Sequence, residues 1–193
     1  VSEEMLRRIL ELVADAPHPV TLTFDDGNAS DLEVCAPLVG AAGLRMTVFP
    51  LAGRIGAPGS LCAADLRSLD RMGVGIGSHG HDHRDWRRLD DAGRHRELVE
   101  ARERIAEAVG APVTEAAIPF GAYDRRTLRA LRKEGYARVY SSDGGFAGTG
   151  WLRSRTSVRA DMPLEGIEAI LAGRIPLARR ARSTAGTLRR RLL

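Results

Sequence analysis

The chain has 193 residues, 44% of them hydrophobic and 28% charged, which suits one globular domain with a real core. No apolar run approaches the length of a membrane span. The net charge is +4, but seven arginines and no acids lie between Arg174 and Leu193. The body before them therefore carries −3, and a nucleic-acid-binding body has no support.

Residues 1–19 read as an N-terminal helical segment. Val20 to Phe24, short and β-branched, reads as a strand, and Ser30 to Ala42 as a helix closed by Gly43. Arg45 to Leu51 is a second strand, Ala63 to Met72 a helix stopped by Gly73, and Val74 to Ser78 a third, Gly-rich strand. Asp91 to Val109 is a long helix with Leu98, Ile105 and Val109 on one side. Ala116 to Pro119 is a short strand, and Asp124 can cap a helix that ends near Gly135. Ala137 to Ser141 and Trp151 to Val158 are further strands, and Leu164 to Leu171 is the last core helix. Residues 20–173 thus form one α/β unit. Alternation of strands and helices implies a mostly parallel sheet. The polar motifs all fall at C-terminal strand ends, which favours a barrel over an open sheet.

Residues 174–193 form a basic tail, with Leu177, Ala181, Ala185, Leu188 and Leu192 at helical spacing between the arginines. It reads either as a membrane-surface helix or as solvated charge. No leader is visible, although Val1 is not an initiator methionine. The expected location is the cytoplasm, with peripheral membrane contact through the tail left open. Cys35 and Cys62 lack metal-type spacing and read as buried thiols.

Two motifs carry chemistry. In Thr23-Phe24-Asp25-Asp26-Gly27, two adjacent carboxylates close a hydrophobic strand. Gly27 lets the chain turn, so both acids can reach one cavity. Two like charges so close raise each other's pKa unless a cation lies between them. In Ser78-His79-Gly80-His81-Asp82-His83, three of the five histidines lie within five residues after a strand. On a helical turn His79 and His83 would face the same way, with His81 pointing elsewhere. A strand-type pair of His79 and His81 is the alternative. Two imidazoles and one carboxylate make an open, catalytic metal arrangement, and the second carboxylate is free to act as a base. Trp86 is either a stacking platform for a ligand or buried packing.

These residues resemble the polysaccharide deacetylase family, carbohydrate esterase family 4. Thr23 to Gly27 matches its first motif, His79 to His83 its H-x-x-x-H motif, and Pro119-Phe120-Gly121 its third, in order between Val20 and Leu171. The resemblance implies a distorted (β/α) barrel of about seven mostly parallel strands. It implies Asp25 as general base, and Asp26, His79 and His83 as ligands of a divalent metal, zinc first. The Phe120 backbone N–H fits an oxyanion donor, and Phe120, Gly121 and Arg155 are candidate substrate-site residues.

Three departures stand out. Ala117 occupies the position of the third-motif Arg, which Arg155 can replace from another direction. Ser141-Ser142-Asp143 is the nearest match to the fourth motif. No histidine follows His95, so the fifth-motif acid is absent. The expected activity is hydrolysis of N-acetyl or O-acetyl groups on a polysaccharide or lipid-linked sugar. The rivals are a metal-holding carbohydrate binder without turnover, and a hydrolase of a non-sugar amide. The expected partner is acetylated carbohydrate, with no nucleic acid and no protein partner.

Overall fold

Each apolar run that reads as a strand pairs in parallel with the next one in the chain. The computed structural model describes residues 1–145 and 149–174. The first sheet holds β1 (Thr21–Asp26), β2 (Arg45–Pro50) and β3 (Gly75–Ile76) in that order. The second holds β4 (Glu115–Ala117), β5 (Arg138–Ser141) and β6 (Leu152–Ser154). A parallel bridge between Ser78 and Ala116 links the two. The expectation of about seven strands in one barrel is not met: the described residues give six strands in two three-stranded sheets. Strands of two to six residues supply little ladder, and no backbone pairing joins β6 to β1 among the described residues.

The helices are α1 (Glu3–Ala14), α2 (Ala36–Ala41), α3 (Ala63–Arg71), α4 (Asp91–His95), α5 (Ala101–Val109), α6 (Arg125–Lys133) and α7 (Leu164–Leu171). The two long helical runs expected from the sequence are present, but each contains a π turn. Asp31–Cys35 leads into α2, and Arg96–Glu100 joins α4 to α5. Such turns break the regular 3.6-residue register and occur often at functional sites. Here each turn contains a buried acid, Asp31 and Glu97 respectively.

Val39, Val48, Leu66, Leu69 and Ile105 fill the core around the first sheet. Ile118, Leu131, Tyr136 and Val139 fill that around the second. Ile9 and Val13 of α1 pack on Ile167 of α7. Both cysteines are half-buried and free, not fully buried as expected. Cys62 begins α3, where its N–H donates to Asp65 Oδ2 at 2.8 Å, a capping role that keeps it near the surface. No described helix is long and apolar enough to cross a membrane. The reading of the basic tail concerns residues 175–193, which lie outside the described residues.

Phe49, Ala117 and Tyr140 form a small cluster of their own, with the Phe49 and Tyr140 rings edge-on at 5.2 Å. Gly77 leaves room for it, because a Cβ at that position would overlap the Phe49 ring. Gly77→Ala should therefore lower stability by about 1–3 kcal/mol through overpacking. Thermal unfolding checks this, and an unchanged Tm would mean that the ring yields freely.

Candidate active site

β1 carries two acids to its end, and the chain turns there on Asp26 itself, whose φ is 77°. Gly27 follows at φ 73°, where a Cβ would come within 2.7 Å of Pro50 Cβ. The turn thus starts one residue before the glycine, and both carboxylates face the His loop. His79 Nε2 lies 3.8 Å from Asp25 Oδ2 and 3.7 Å from Asp26 Oδ1. His83 Nε2 lies 3.9 Å from Asp26 Oδ1. Asp26, His79 and His83 each place one ligand atom within 4.8 Å of the others. The segment that brings the two histidines together is not a helical turn, contrary to the i, i+4 expectation. It is a loop bent at Gly80 (φ 88°) and at His83 (φ 55°).

These residues fit a divalent cation. Asp26 Oδ1 is buried without a hydrogen-bond partner, which a lone carboxylate oxygen rarely tolerates. His79 Nδ1–H donates to the Ala117 carbonyl at 2.8 Å, which turns the Nε2 lone pair toward the acids. Burial, the largest influence, holds the His79 pKa below its ordinary value against the nearby carboxylates, which favours the uncharged ring that a cation needs.

Asp25 is bound differently. Arg155, just beyond β6, clamps it with two parallel bonds, Nη1 to Oδ1 at 2.7 Å and Nη2 to Oδ2 at 2.8 Å. Nη1 also donates to Thr23 Oγ1 at 3.0 Å. The guanidinium lies 5.5 Å from the Phe49 ring centre and 5.9 Å from that of Tyr140. Burial alone would push Asp25 up. The Arg155 hydrogen bonds, with the His79, Arg155 and His83 charges, outweigh it and hold the carboxyl below the usual carboxylate range. Ala117, where the resembling family carries an Arg, is fully buried beside Phe49 and Tyr140.

The remaining sequence candidates divide. Phe120 is exposed at φ 59°, with its ring centre 4.3 Å from that of His83. Gly121 is buried and its N–H donates to the Ile118 carbonyl, so it shapes the turn. A Cβ there would meet Ser142 N at 2.9 Å. Trp86 is 3% exposed, so it is packing and not a sugar platform. His81 does not point away as expected. It lines one cavity of about 390 Å³ with Asp26 and His83, its Nδ1 bonded to Asp82 Oδ1 at 2.7 Å. Asp143 accepts from the Tyr123 hydroxyl at 2.6 Å and from Ser141 Oγ at 2.8 Å.

Two acids escaped the sequence reading. Glu97, fully buried, accepts from the N–H of His81 (2.9 Å), the N–H of Asp82 (3.0 Å) and Trp86 Nε1 (3.3 Å). A Cβ on Gly80 would overlap its carboxylate. The available signal was its place four and eight residues before Ala101 and Ile105, on the buried stripe of the helix. Asp31 accepts the Asn28 N–H at 3.0 Å. Burial first, then the Asp26 and Asp25 charges, push it up to about 7, against the Asn28 bond. Local sequence gave no sign of its burial.

The sequence profile of the polysaccharide deacetylase family matches residues 13–139, well over half of the chain. This chain belongs to that family. The family comprises hydrolases of carbon–nitrogen bonds. Among curated relatives, YxkH of Bacillus subtilis (strain 168), provisionally named a polysaccharide deacetylase, is 26% identical over 128 residues. That match covers 66% of this chain and 46% of YxkH, so the chain spans just under half of the relative's length. Among solved structures, the deacetylase PplD of Streptococcus pyogenes in complex with acetate superposes with a TM-score of 0.80 at 17% identity, covering 89% of this chain and 87% of PplD. IcaB from Ammonifex degensii superposes with a TM-score of 0.74 at 18% identity, covering 89% of each chain. At these identities the superpositions show the shared α/β fold.

Two outcomes follow from the geometry. In Arg155→Gln, burial of Asp25 is opposed only by the His79 and His83 charges, and its pKa rises. A depressed carboxyl stabilises the fold above its unfolded value, near 3.9, and that stability is lost as pH falls through the folded pKa. The variant should lose on the order of 1–3 kcal/mol at pH 7 and begin acid unfolding at higher pH than the wild type. Coincident urea titrations of the two proteins across pH 3–7 would refute this. Glu97→Gln cannot accept all three N–H groups, so the His loop loosens. Zinc affinity, measured by competition with a chelator, should fall about 10- to 100-fold. Equal affinity would make Glu97 a buried bond with no bearing on the ligand set.

Proposed function

We propose that this chain is a metal-dependent deacetylase that hydrolyses N-acetyl or O-acetyl groups on a polysaccharide or lipid-linked sugar. The observation that carries the reading is the pairing of two differently held acids. Asp26 belongs to an open set with His79 and His83, while Asp25 is kept ionised by Arg155 beside them. Family membership and the fold shared with PplD support it. Asp26, His79 and His83 would hold the cation, zinc by the mix of imidazole and carboxylate donors. Such a cation supplies Lewis acidity toward the acyl carbonyl and the attacking water.

Asp25 accepts the proton as the water oxygen bonds to the acyl carbon. The clamp from Arg155 fixes which way the carboxylate points, so its free lone pairs face the reacting water. The Phe120 backbone N–H, presented by the left-handed turn at 120, is the donor proposed for the developing oxyanion. Its exposed ring is the proposed sugar contact. The bond from carbonyl carbon to sugar nitrogen or oxygen then breaks, the departing group takes a proton from solvent water, Asp25 returns its own to solvent, and acetate leaves. Arg155 thus takes the part of the third-motif Arg, reaching Asp25 from the far end of the second sheet. The binding-only reading rests on the lack of any histidine after His95. The clamped Asp25 weighs against it, since a carbohydrate binder has no use for a poised base.

The test is acetate release from a panel of acetylated oligosaccharides and lipid-linked sugars by zinc-loaded protein. Asp25→Asn should keep its metal and lose about 100- to 10,000-fold in kcat/KM. Asp26→Ala should lose the metal itself. Asp25→Asn within a few fold of wild type would remove Asp25 from the chemistry. No release by wild type with metal bound would leave the binding-only reading standing.

A further inference from the structure

The cavity beside the ligand set has a second side that deacetylation as such does not use. Leu51, Gly53, Arg54 and Asp82 line it together with Asp26, His81 and His83, in a volume of about 390 Å³, the size of a small-molecule site. Among the described residues that line it, Arg54 is the only permanent cation. The acids there are already engaged. Asp26 belongs to the ligand set, and Asp82 is bonded to His81 at 2.7 Å and to Arg96 Nε at 2.9 Å.

Arg54 is held in place on two sides. It ends the 3₁₀ turn Ala52–Arg54 that follows β2. The Ala52 N–H donates to the Gly80 carbonyl at 2.9 Å and the Gly53 N–H to the His81 carbonyl at 3.0 Å, which stitches this turn to the His loop. Its side chain is anchored by Nη2 to Asn28 Oδ1 at 3.2 Å. Asn28 is in turn fixed by its N–H to buried Asp31 at 3.0 Å. That anchor occupies one of the five guanidinium N–H groups, and a planar fork suits an anion with two oxygens. The Arg54 charge also acts on buried Asp31, and its remaining N–H groups offer an anion a full charge where a neutral acetylated sugar would gain only hydrogen bonds.

We propose that Arg54 forms an anion subsite in the deacetylation cavity, holding a carboxylate or phosphate ester carried by the acetylated sugar or its neighbour. The inference rests on the deacetylase reading above and names the substrate class for that site. The anionic group docks on the guanidinium while the acetyl group faces Asp25 and the ligand set.

The test compares matched N-acetylhexosamine oligosaccharides that are neutral, that carry a carboxyalkyl ether, or that carry a phosphate monoester. Zinc-loaded wild type, Arg54→Gln, Arg54→Lys and Arg104→Gln are assayed, the last being an exposed arginine on α5 that controls for net charge. The wild type should favour at least one anionic sugar in kcat/KM by about tenfold or more, the worth of one charge-assisted pair. The arm that shows the preference identifies carboxylate or phosphate. Arg54→Gln should bring the ratio near one through KM, Arg54→Lys should keep part of it, and Arg104→Gln all of it. The same ratio in wild type and Arg54→Gln overturns the subsite, as does an equal fall in Arg104→Gln, which would mean long-range steering. If Arg54→Gln does not fold, Arg54→Lys decides, since loss of the fork should cut the preference several-fold and an unchanged preference overturns it. If wild type hydrolyses none of the sugars, the deacetylase reading fails by itself. Calorimetry of the same sugars on the zinc-loaded proteins then tests the subsite. Tighter binding of an anionic sugar by wild type but not by Arg54→Gln supports it, and equal binding overturns it.

Discussion

The bidentate pair of Asp25 and Arg155 joins the end of β1 to the end of the last described strand, across 130 residues of chain. Neither partner is stable there alone. A half-buried carboxylate beside these rings is held ionised most readily by a cation, and a proton would abolish the base role proposed for it. Arginine suits the position better than lysine, because its flat fork matches the carboxylate while its faces lie against the Phe49 and Tyr140 rings. The small side chains at 77 and 117 are part of the same solution. They leave the interior free for one aromatic from each sheet and for the guanidinium that crosses between them.

The ligand side of the site depends on a different device. A loop with two left-handed residues cannot hold two imidazoles in place by itself. Glu97 reaches it from a π turn and satisfies two of its backbone N–H groups. The Ala117 carbonyl orients the His79 ring from β4. Backbone bonds from Ala52 and Gly53 close the third side. Three separate elements thus fix the loop, which gives the rigid support that the proposed cation site would demand.

Much of this was legible in the sequence, and the reason is local chemistry. Asp25, Asp26, His79 and His83 lie in two short motifs whose residue types make sense only together. The strands and helices followed from apolar periodicity and glycine stops, and their order held. What could not be read depends on distant partners. Asp31 looks like an ordinary helix-surface acid, and Glu97, though on the buried stripe, shows what it binds only once the His loop lies against it. Trp86 was open between platform and packing until Glu97 appeared beneath it. His81 was expected to point away because a helical turn was assumed, whereas the loop geometry leaves it in the cavity. The count of about seven strands came from the family resemblance, whereas the apolar runs of the sequence mark six, the number found among the described residues. Arg155 was the instructive middle case: its residue type was right for the vacancy left at Ala117, but only the fold shows that it arrives there.

Three non-glycine residues with φ above zero occur among the described residues, and all three line this site: Asp26, His83 and Phe120. Each such residue costs roughly 1–2 kcal/mol against a relaxed backbone. Selection for stability alone would place glycine at all three, and at each the side chain would vanish from the place where it is needed. The site is therefore a standing compromise, with thermodynamic ease surrendered where chemistry is done. Random drift toward a sturdier protein would erode function here first, one apparently harmless glycine at a time.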